Sequence, residues 1–229
     1  MIWSIVVAAG RAERFGRIVP KQFEALAGQR VVDWSVASAS EVSDGVVLVV
    51  PPGYADSESN DTRTHAGVDV RVVVGGETRS ESVRHGLAAV PDEASIVIVH
   101  DAARPLARAE LFRDVIRAVR DGADGAVPGL PLVDTVKRID RPVDAETSPE
   151  VIETLDRSSL VAVQTPQAFA AAALRGAHEG DGEATDDAAL VEARGGRVVV
   201  VAGDPENVKL TVPGDLTLAE AALSDRGES

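Results

Sequence analysis

Cysteine is absent from the 229 residues, which excludes disulfides, a thiolate nucleophile and any zinc site built on sulfur. Aromatic residues are scarce, at 3% of the chain. The core must then be built from Val, Ala, Leu and Ile within a hydrophobic share of 45%, a composition that suits a parallel sheet covered by helices. No apolar run approaches the ~20 residues that a membrane span needs. Met1-Ile2-Trp3 leads straight into a strand-like run without a leader pattern, so a cytoplasmic location is expected. Positive charge is in deficit, with 23 Lys and Arg against 37 Asp and Glu and a net charge of −14. So acidic a chain is poorly suited to nucleic acid or an anionic membrane; neither is an expected partner. Cationic loops within an acidic whole point instead to a small anionic ligand.

The apolar run Ile2–Val7, broken only by Ser4, reads as a buried parallel strand. It empties into Ala8, Ala9 and Gly10, and then into a loop carrying Arg11, Arg14, Arg17 and Lys21. Small residues let backbone N–H groups approach a phosphate, and the cations answer its charge. In open α/β sheets a ligand crevice forms where such a strand ends. A Walker A loop is excluded because Gly10 and Gly16 are one residue too far apart and Arg17 follows. A dinucleotide fingerprint is excluded because Ala12 and Phe15 stand where glycines are required.

Further β-branched runs are Val46–Val50, Val68–Val74, Ser95–Val99, Gly125–Leu130 and Arg197–Ala202. Helical spacing appears over Val31–Ser40, Ser80–Val90 and Ala109–Arg120. Pro51 to Gly67 is weakly patterned, with room for one short helix. The alternation predicts an α/β three-layer sandwich with a mostly parallel, Rossmann-like nucleotide-binding sheet. The chain reads as a single domain, 1–229. Residues 133–160 break the rhythm, are charged, and contain the strand-like pieces Thr135–Ile139 and Val151–Leu155; they read as a projecting β-arm. The tail beyond Ser224 is expected to fray.

Gly75-Gly76 precede Thr78 and Glu81, a capping-box pair that predicts a helix start. By pattern alone this is a glycine turn and a capped helix, and Ser82 is part of it. Asp101, in the run His100-Asp101-Ala102-Ala103-Arg104-Pro105, closes a central strand, where a carboxylate faces the crevice. It reads either as a helix N-cap or as a ligand for Mg²⁺, which takes one or two carboxylates plus substrate phosphates. Arg104 is placed to reach a second anion, and His100 reads as packing.

The loop Ala8-Ala9-Gly10…Arg14…Gly16…Pro20-Lys21-Gln22 resembles the signature of the sugar-nucleotide-type nucleotidyltransferases. Pro-Lys-Gln narrows the likeness to the cytidylyltransferases. One departure is Ala12, where the family usually has a second glycine; alanine tolerates positive φ poorly. Gly75-Gly76…Arg79…Ser82-Val83…Gly86-Leu87 and the His100–Pro105 string extend the resemblance. So do Asp134–Lys137, Asp156-Arg157, Gln164–Gln167, Thr185–Asp187 and Asn207–Thr211, in order. From Ile2 to about Leu223 the chain resembles the 2-C-methyl-D-erythritol 4-phosphate cytidylyltransferases of the non-mevalonate isoprenoid pathway.

The resemblance implies an enzyme that joins CTP to methylerythritol 4-phosphate with Mg²⁺ and releases pyrophosphate. It implies that Arg14, Lys21 and Lys209 are catalytic, stabilising the triphosphate and the transition state. Ala8, Ala9, Gly10, Gly76, Ser82 and Ala102 would contact CTP. Asp101, Arg104, Thr135, Arg157, Thr165 and Thr185 would face the acceptor, and Asp101 the metal. It further implies a homodimer in which the arm carries Thr135 and Arg157 to the neighbouring site. The alternatives are a ribitol 5-phosphate cytidylyltransferase and a non-catalytic nucleotide-binding regulator.

Overall fold

The computed structural model of the chain describes residues 1–10, 20–61, 64–65, 67–143, 148–180 and 182–227. Its elements are β1 (Ile2–Val7), β2 (Ala25–Leu26), β3 (Gln29–Arg30), α1 (Val31–Ser40), β4 (Gly45–Val50), α2 (Ala55–Asp61), β5 (Thr64–His65) and β6 (Val68–Val74). Then come α3 (Arg79–Ala89), β7 (Ile96–Asp101), α4 (Ala109–Arg120), β8 (Gly125–Pro131), β9 (Lys137–Ile139) and β10 (Val151–Thr154). The chain continues with β11 (Val161–Val163), β12 (Gln167–Ala170), α5 (Ala171–Ala177), α6 (Asp187–Ala193), β13 (Val198–Ala202) and α7 (Gly214–Gly227).

One sheet dominates. β1 pairs in parallel with β4 on one side and β7 on the other, and β4 pairs in parallel with β6. β12 lies antiparallel between β7 and β8, and β13 runs parallel to β8 at the far edge. Chain order therefore runs from β1 outward through β4 to β6, then returns to β7 on the opposite flank. That reversal opens a crevice beyond the carboxyl ends of β1 and β7.

The strands are apolar on both faces because both faces are covered. Alternate residues feed two cores: Val46, Leu48 and Val50 pack with α1 and α4 residues such as Val36 and Phe112. Val47 and Val49 pack with Val83 and Leu87 of α3, and with Leu174 and Val191 from α5 and α6. Fully burying one such side chain is worth roughly 1.5–3 kcal/mol, so these two clusters carry the sandwich. A third cluster, Leu26, Val31, Leu106, Leu210 and Ala219, docks α7 and the segment ahead of it against the β2–β3 hairpin and α1.

The three-layer α/β architecture and its mostly parallel sheet agree with the reading of the sequence, and α1 and α4 have the expected bounds. Two details differ. Residues 225–227 do not unravel: α7 stays helical to Gly227, because Arg226 pairs with Glu206 at 2.9 Å and donates to the Leu106 carbonyl at 3.2 Å. The antiparallel strands β11 and β12 have no counterpart in the sequence pattern. Within 133–160, β9 and β10 form a two-stranded antiparallel hairpin outside the main sheet.

Candidate active site

The carboxyl end of β1 and the end of β7 form two walls of a cleft of about 470 Å³. Ala8, Ala9, Gly10, Lys21, Gln22, Gly76, Ser82, Asp101, Ala102 and Lys209 line it, together with Arg79. Nine of the expected site residues therefore meet in one place: the three residues closing β1, Lys21, Gly76, Ser82, Asp101, Ala102 and Lys209. Arg14 lies outside the described residues, as does Ala12.

The floor is built by backbone. Ala8 N–H donates to Val49 O at 2.7 Å and Ala102 N–H to Val7 O at 3.0 Å, which carries the sheet pairing past the ends of the strands. Gln22, nearly fully buried, donates from Nε2 to the Ala8 carbonyl, and to the Gly10 carbonyl at 3.3 Å. A trans peptide points its C=O and the next N–H in opposite directions. Holding the Ala8 carbonyl from behind thus fixes the direction of the Ala9 N–H. Gly75 is needed for close approach, since a Cβ there would stand 2.3 Å from Ala9 Cβ and 2.8 Å from Ser82 Oγ. Ser82 Oγ accepts from Gly76 N–H at 3.1 Å and donates to Thr78 O at 2.9 Å, shaping the turn from within.

Charge is concentrated opposite this floor. Lys209 Nζ stands 2.6 Å from Asp101 Oδ2, and Arg79 Nε 3.4 Å from Asp101 Oδ1. Burial alone would push the Asp101 carboxyl up, but the Arg79 and Lys209 charges outweigh it and hold the group well below the usual carboxylate range. Lys21 Nζ donates to the Leu210 carbonyl at 2.5 Å, beside Lys209. Two ammonium groups from distant parts of the chain thus converge on one rim.

Behind the wall, Thr165 Oγ1 accepts from Asp101 N–H at 3.1 Å and donates to His100 Nδ1 at 3.1 Å. His100 Nε2–H in turn donates to Arg104 O at 3.2 Å, which fixes the neutral tautomer. Burial pushes the His100 pKa down to about 4, with Asp101 opposing and Arg104 and Lys209 assisting. Arg104 donates to Asn207 O at 2.7 Å, and Asn207 Nδ2 to Thr165 O at 2.8 Å. Arg104 and Thr165 therefore stand behind the cleft, bracing Asp101 and the segment that ends in Lys209.

Five of the six expected acceptor residues are not part of the lining: Arg104 and Thr165 stand behind it, and Thr135, Arg157 and Thr185 lie away from it. Thr135 and Arg157 are exposed on the arm, with Arg157 donating to the Val133 carbonyl. Thr185 is exposed just ahead of α6, whose cap is Asp186, with its side chain accepting from Ala189 N–H at 3.0 Å. Sequence reasoning passes over Gln22, Arg79, Asp187 and Asn207. Each sits inside a quoted motif, but its partner is distant in the chain, so no local spacing reveals its task.

A cationic, small-residue cleft at the switch point of a parallel sheet, with Asp101 held between cations and, among the described lining residues, no nucleophile–base pair, defines a nucleotide-binding α/β protein of the nucleotidyltransferase kind. The family model for 2-C-methyl-D-erythritol 4-phosphate cytidylyltransferase matches residues 2–225. A protein of that description from Streptomyces coelicolor is 46% identical over 97% of this chain and 85% of its own length. Another, from Nocardia farcinica, is 44% identical over 97% and 94%. Among solved structures, the 2-C-methyl-D-erythritol 4-phosphate cytidylyltransferase from Thermus thermophilus superposes with a TM-score of 0.76 at 34% identity, covering 98% of this chain and all 100% of that one. The 4-diphosphocytidyl-2C-methyl-D-erythritol synthase from Anaerococcus prevotii gives 0.81 at 29% identity, over 97% and 96%. The chain belongs to the 2-C-methyl-D-erythritol 4-phosphate cytidylyltransferase family.

Proposed function

We propose that this chain transfers the cytidylyl group of CTP to the phosphate of 2-C-methyl-D-erythritol 4-phosphate, releasing pyrophosphate, as a cytoplasmic step of isoprenoid precursor synthesis. The observation that carries the reading is the convergence of Lys21 and Lys209 on the Ala8–Gly10 floor, with Asp101 between cations. The nucleophile is a phosphate monoester, largely dianionic at neutral pH because its second pKa is about 6. No general base is needed. The difficulty is that two anions meet while charge builds at the α-phosphorus, so positioning and fixed positive charge do the work.

In this reading the N–H groups of the Ala8–Gly10 turn and the Gly76–Ser82 turn hold CTP, with Ala102 against it. Lys21 and Arg14 stabilise the charge that develops on the triphosphate. Lys209 leaves Asp101 for phosphate oxygen as the acceptor arrives, and Asp101 takes up acceptor hydroxyls. Arg104 and Thr165 serve the acceptor side from behind, by bracing Asp101 and the segment that ends in Lys209, and Thr185 stands at its outer edge ahead of α6. Asp101 also fits Mg²⁺. Among the described residues no group of three or more His, Cys, Asp or Glu side chains gathers at a metal-sized site. One ligating carboxylate suits an ion that relies on substrate phosphates and water for its remaining ligands. When bound, Mg²⁺ supplies charge neutralisation between phosphate oxygens.

We further propose a homodimer built on the 133–160 arm. Its support is the run of large aliphatic side chains left in water, Val133 at 82% and Val143 at 75% exposed, with Val151 and Ile152 more than half exposed. Patches of this kind mark contact surfaces. Pairing through the arm would carry Thr135 and Arg157 to the neighbour's cleft.

The test is pyrophosphate release from CTP and Mg²⁺ with methylerythritol 4-phosphate, ribitol 5-phosphate or no acceptor. Release with methylerythritol 4-phosphate alone is expected. Release with ribitol 5-phosphate alone would overturn the acceptor, and no release from protein that binds CTP would overturn the reaction.

A further inference from the structure

The two oxygens of Asp101 keep different company. Oδ2 meets Lys209, which is 44% exposed and free to move toward a ligand, whereas Oδ1 meets Arg79, which is not. Arg79 Nη1 donates to Asp187 Oδ2 at 2.8 Å, and the other oxygen of Asp187 accepts from His178 Nε2 at 2.9 Å. Asp187 is wholly buried and His178 almost so. The four groups form a chain from the core to the cleft: His178, Asp187, Arg79, Asp101. A guanidinium is a planar fork with fixed geometry, so anchoring one arm in the core sets where the other arm points.

Neighbouring contacts keep the anchor in register. Thr78 Oγ1 donates to Glu183 at 2.7 Å, and Arg84 Nη1 donates to the Gly182 carbonyl at 3.2 Å. These tie the segment leading into α6 to the start of α3, from which Arg79 projects. Burial disfavours the Arg79 charge, but Asp187 and Asp101 outweigh it and raise its pKa, so the fork is charged throughout the working range.

We propose that Arg79 is a positioning residue for the acceptor: anchored on the buried Asp187–His178 pair, it holds Oδ1 of Asp101 so that Oδ2 alone exchanges between Lys209 and the incoming polyol phosphate. This rests on the transfer reaction proposed above. Without Arg79 the Asp101 carboxylate keeps only Lys209 and turns to follow it, which spoils the exchange. Asp187 never touches substrate, because no part of it reaches the cleft. Its removal must therefore act through Arg79.

The experiment measures steady-state pyrophosphate release by the full chain, varying CTP and methylerythritol 4-phosphate separately. It compares the unaltered chain with Arg79→Ala, Arg79→Lys and Asp187→Asn. The expected result is a rise in acceptor KM of about tenfold or more in Arg79→Ala, the scale of one lost charge-assisted hydrogen bond, with CTP KM within about twofold. Arg79→Lys, which keeps charge but not the fork, should lie between. Asp187→Asn should shift acceptor KM in the same direction, and combining it with Arg79→Ala should add little, as for residues acting as one unit. Methylguanidinium should restore Arg79→Ala and leave Asp187→Asn unchanged. If one Arg79 variant fails to fold, the other and Asp187→Asn carry the same comparison. Turnover by the unaltered chain with unchanged acceptor KM in the variants, or equal losses toward both substrates without rescue, would overturn the role of Arg79 alone. Absence of turnover by the unaltered chain would overturn the transfer reading and this proposal with it.

Discussion

His100 gives this fold an acid-sensitive joint directly beneath the cleft. The side chain is wholly buried and its pKa lies near 4 in the folded chain, against 6.5 for an ordinary histidine. Between those values the unfolded chain binds the extra proton, so stability falls as pH drops through 6.5 and stops falling on this account near 4. A gap of about 2.5 pH units at ~1.36 kcal/mol each amounts to about 3 kcal/mol in full, and about 2 kcal/mol of it is lost by about pH 5. Asp101 does not confuse this window, because its contribution is lost only as the unfolded carboxyl takes up a proton around its ordinary value of 3.8, below the range measured. The assay is urea unfolding followed by circular dichroism from about pH 7.5 to about pH 5, at fixed protein concentration. His100→Gln keeps a donor and an acceptor for the Arg104 carbonyl and Thr165 but cannot titrate. The unaltered chain should lose about 2 kcal/mol more than the variant over that range. Equal losses in both would refute the assignment of a neutral buried imidazole.

Three further outcomes are expected. Lys21→Ala should lower kcat by about two orders of magnitude or more, the scale of one lost transition-state donor; unchanged kcat would remove Lys21 from the reaction. Arg157→Ala should chiefly raise acceptor KM, and a KM change confined to CTP would contradict its assignment to the acceptor. Gly75→Ala forces a methyl against Ala9 and Ser82, so CTP binding, measured by calorimetry, should weaken by about tenfold or more while an overpacking cost of ~1–3 kcal/mol appears in unfolding; intact CTP affinity would show that this close approach does not shape the floor.

How much of this is legible in the sequence depends on whether local pattern or distant pairing decides the structure. The β-branched run Val46–Val50 announces a strand because every residue of it is buried on one face or the other. α4 announces itself through Leu111, Phe112, Val115, Ile116 and Val119, spaced to bury one helical face. By contrast, β12 is Gln-Ala-Phe-Ala, with no run or alternation strong enough to name it. It is a strand because β7 and β8 leave a slot between them. Asp186, which caps α6, also receives Gln167 Nε2 at 3.1 Å, a contact no spacing reveals. In the cleft, the charged rim is legible from Lys21, Asp101 and Lys209. The bracing by Gln22, Arg79 and Asn207 is not, since each partner lies elsewhere in the chain or is a backbone carbonyl.

Attack by an oxygen of the acceptor's own phosphate on the α-phosphorus of CTP is the claim on which the site's design rests. It is tested most directly by running the reaction with heavy-oxygen label in the phosphate of methylerythritol 4-phosphate and reading the products by phosphorus NMR. Label in the oxygen bridging the two phosphorus atoms of the CDP-linked product, with none in the released pyrophosphate, is the expected result. An unlabelled bridge would contradict it, because the acceptor phosphate would then have been attacked rather than attacking.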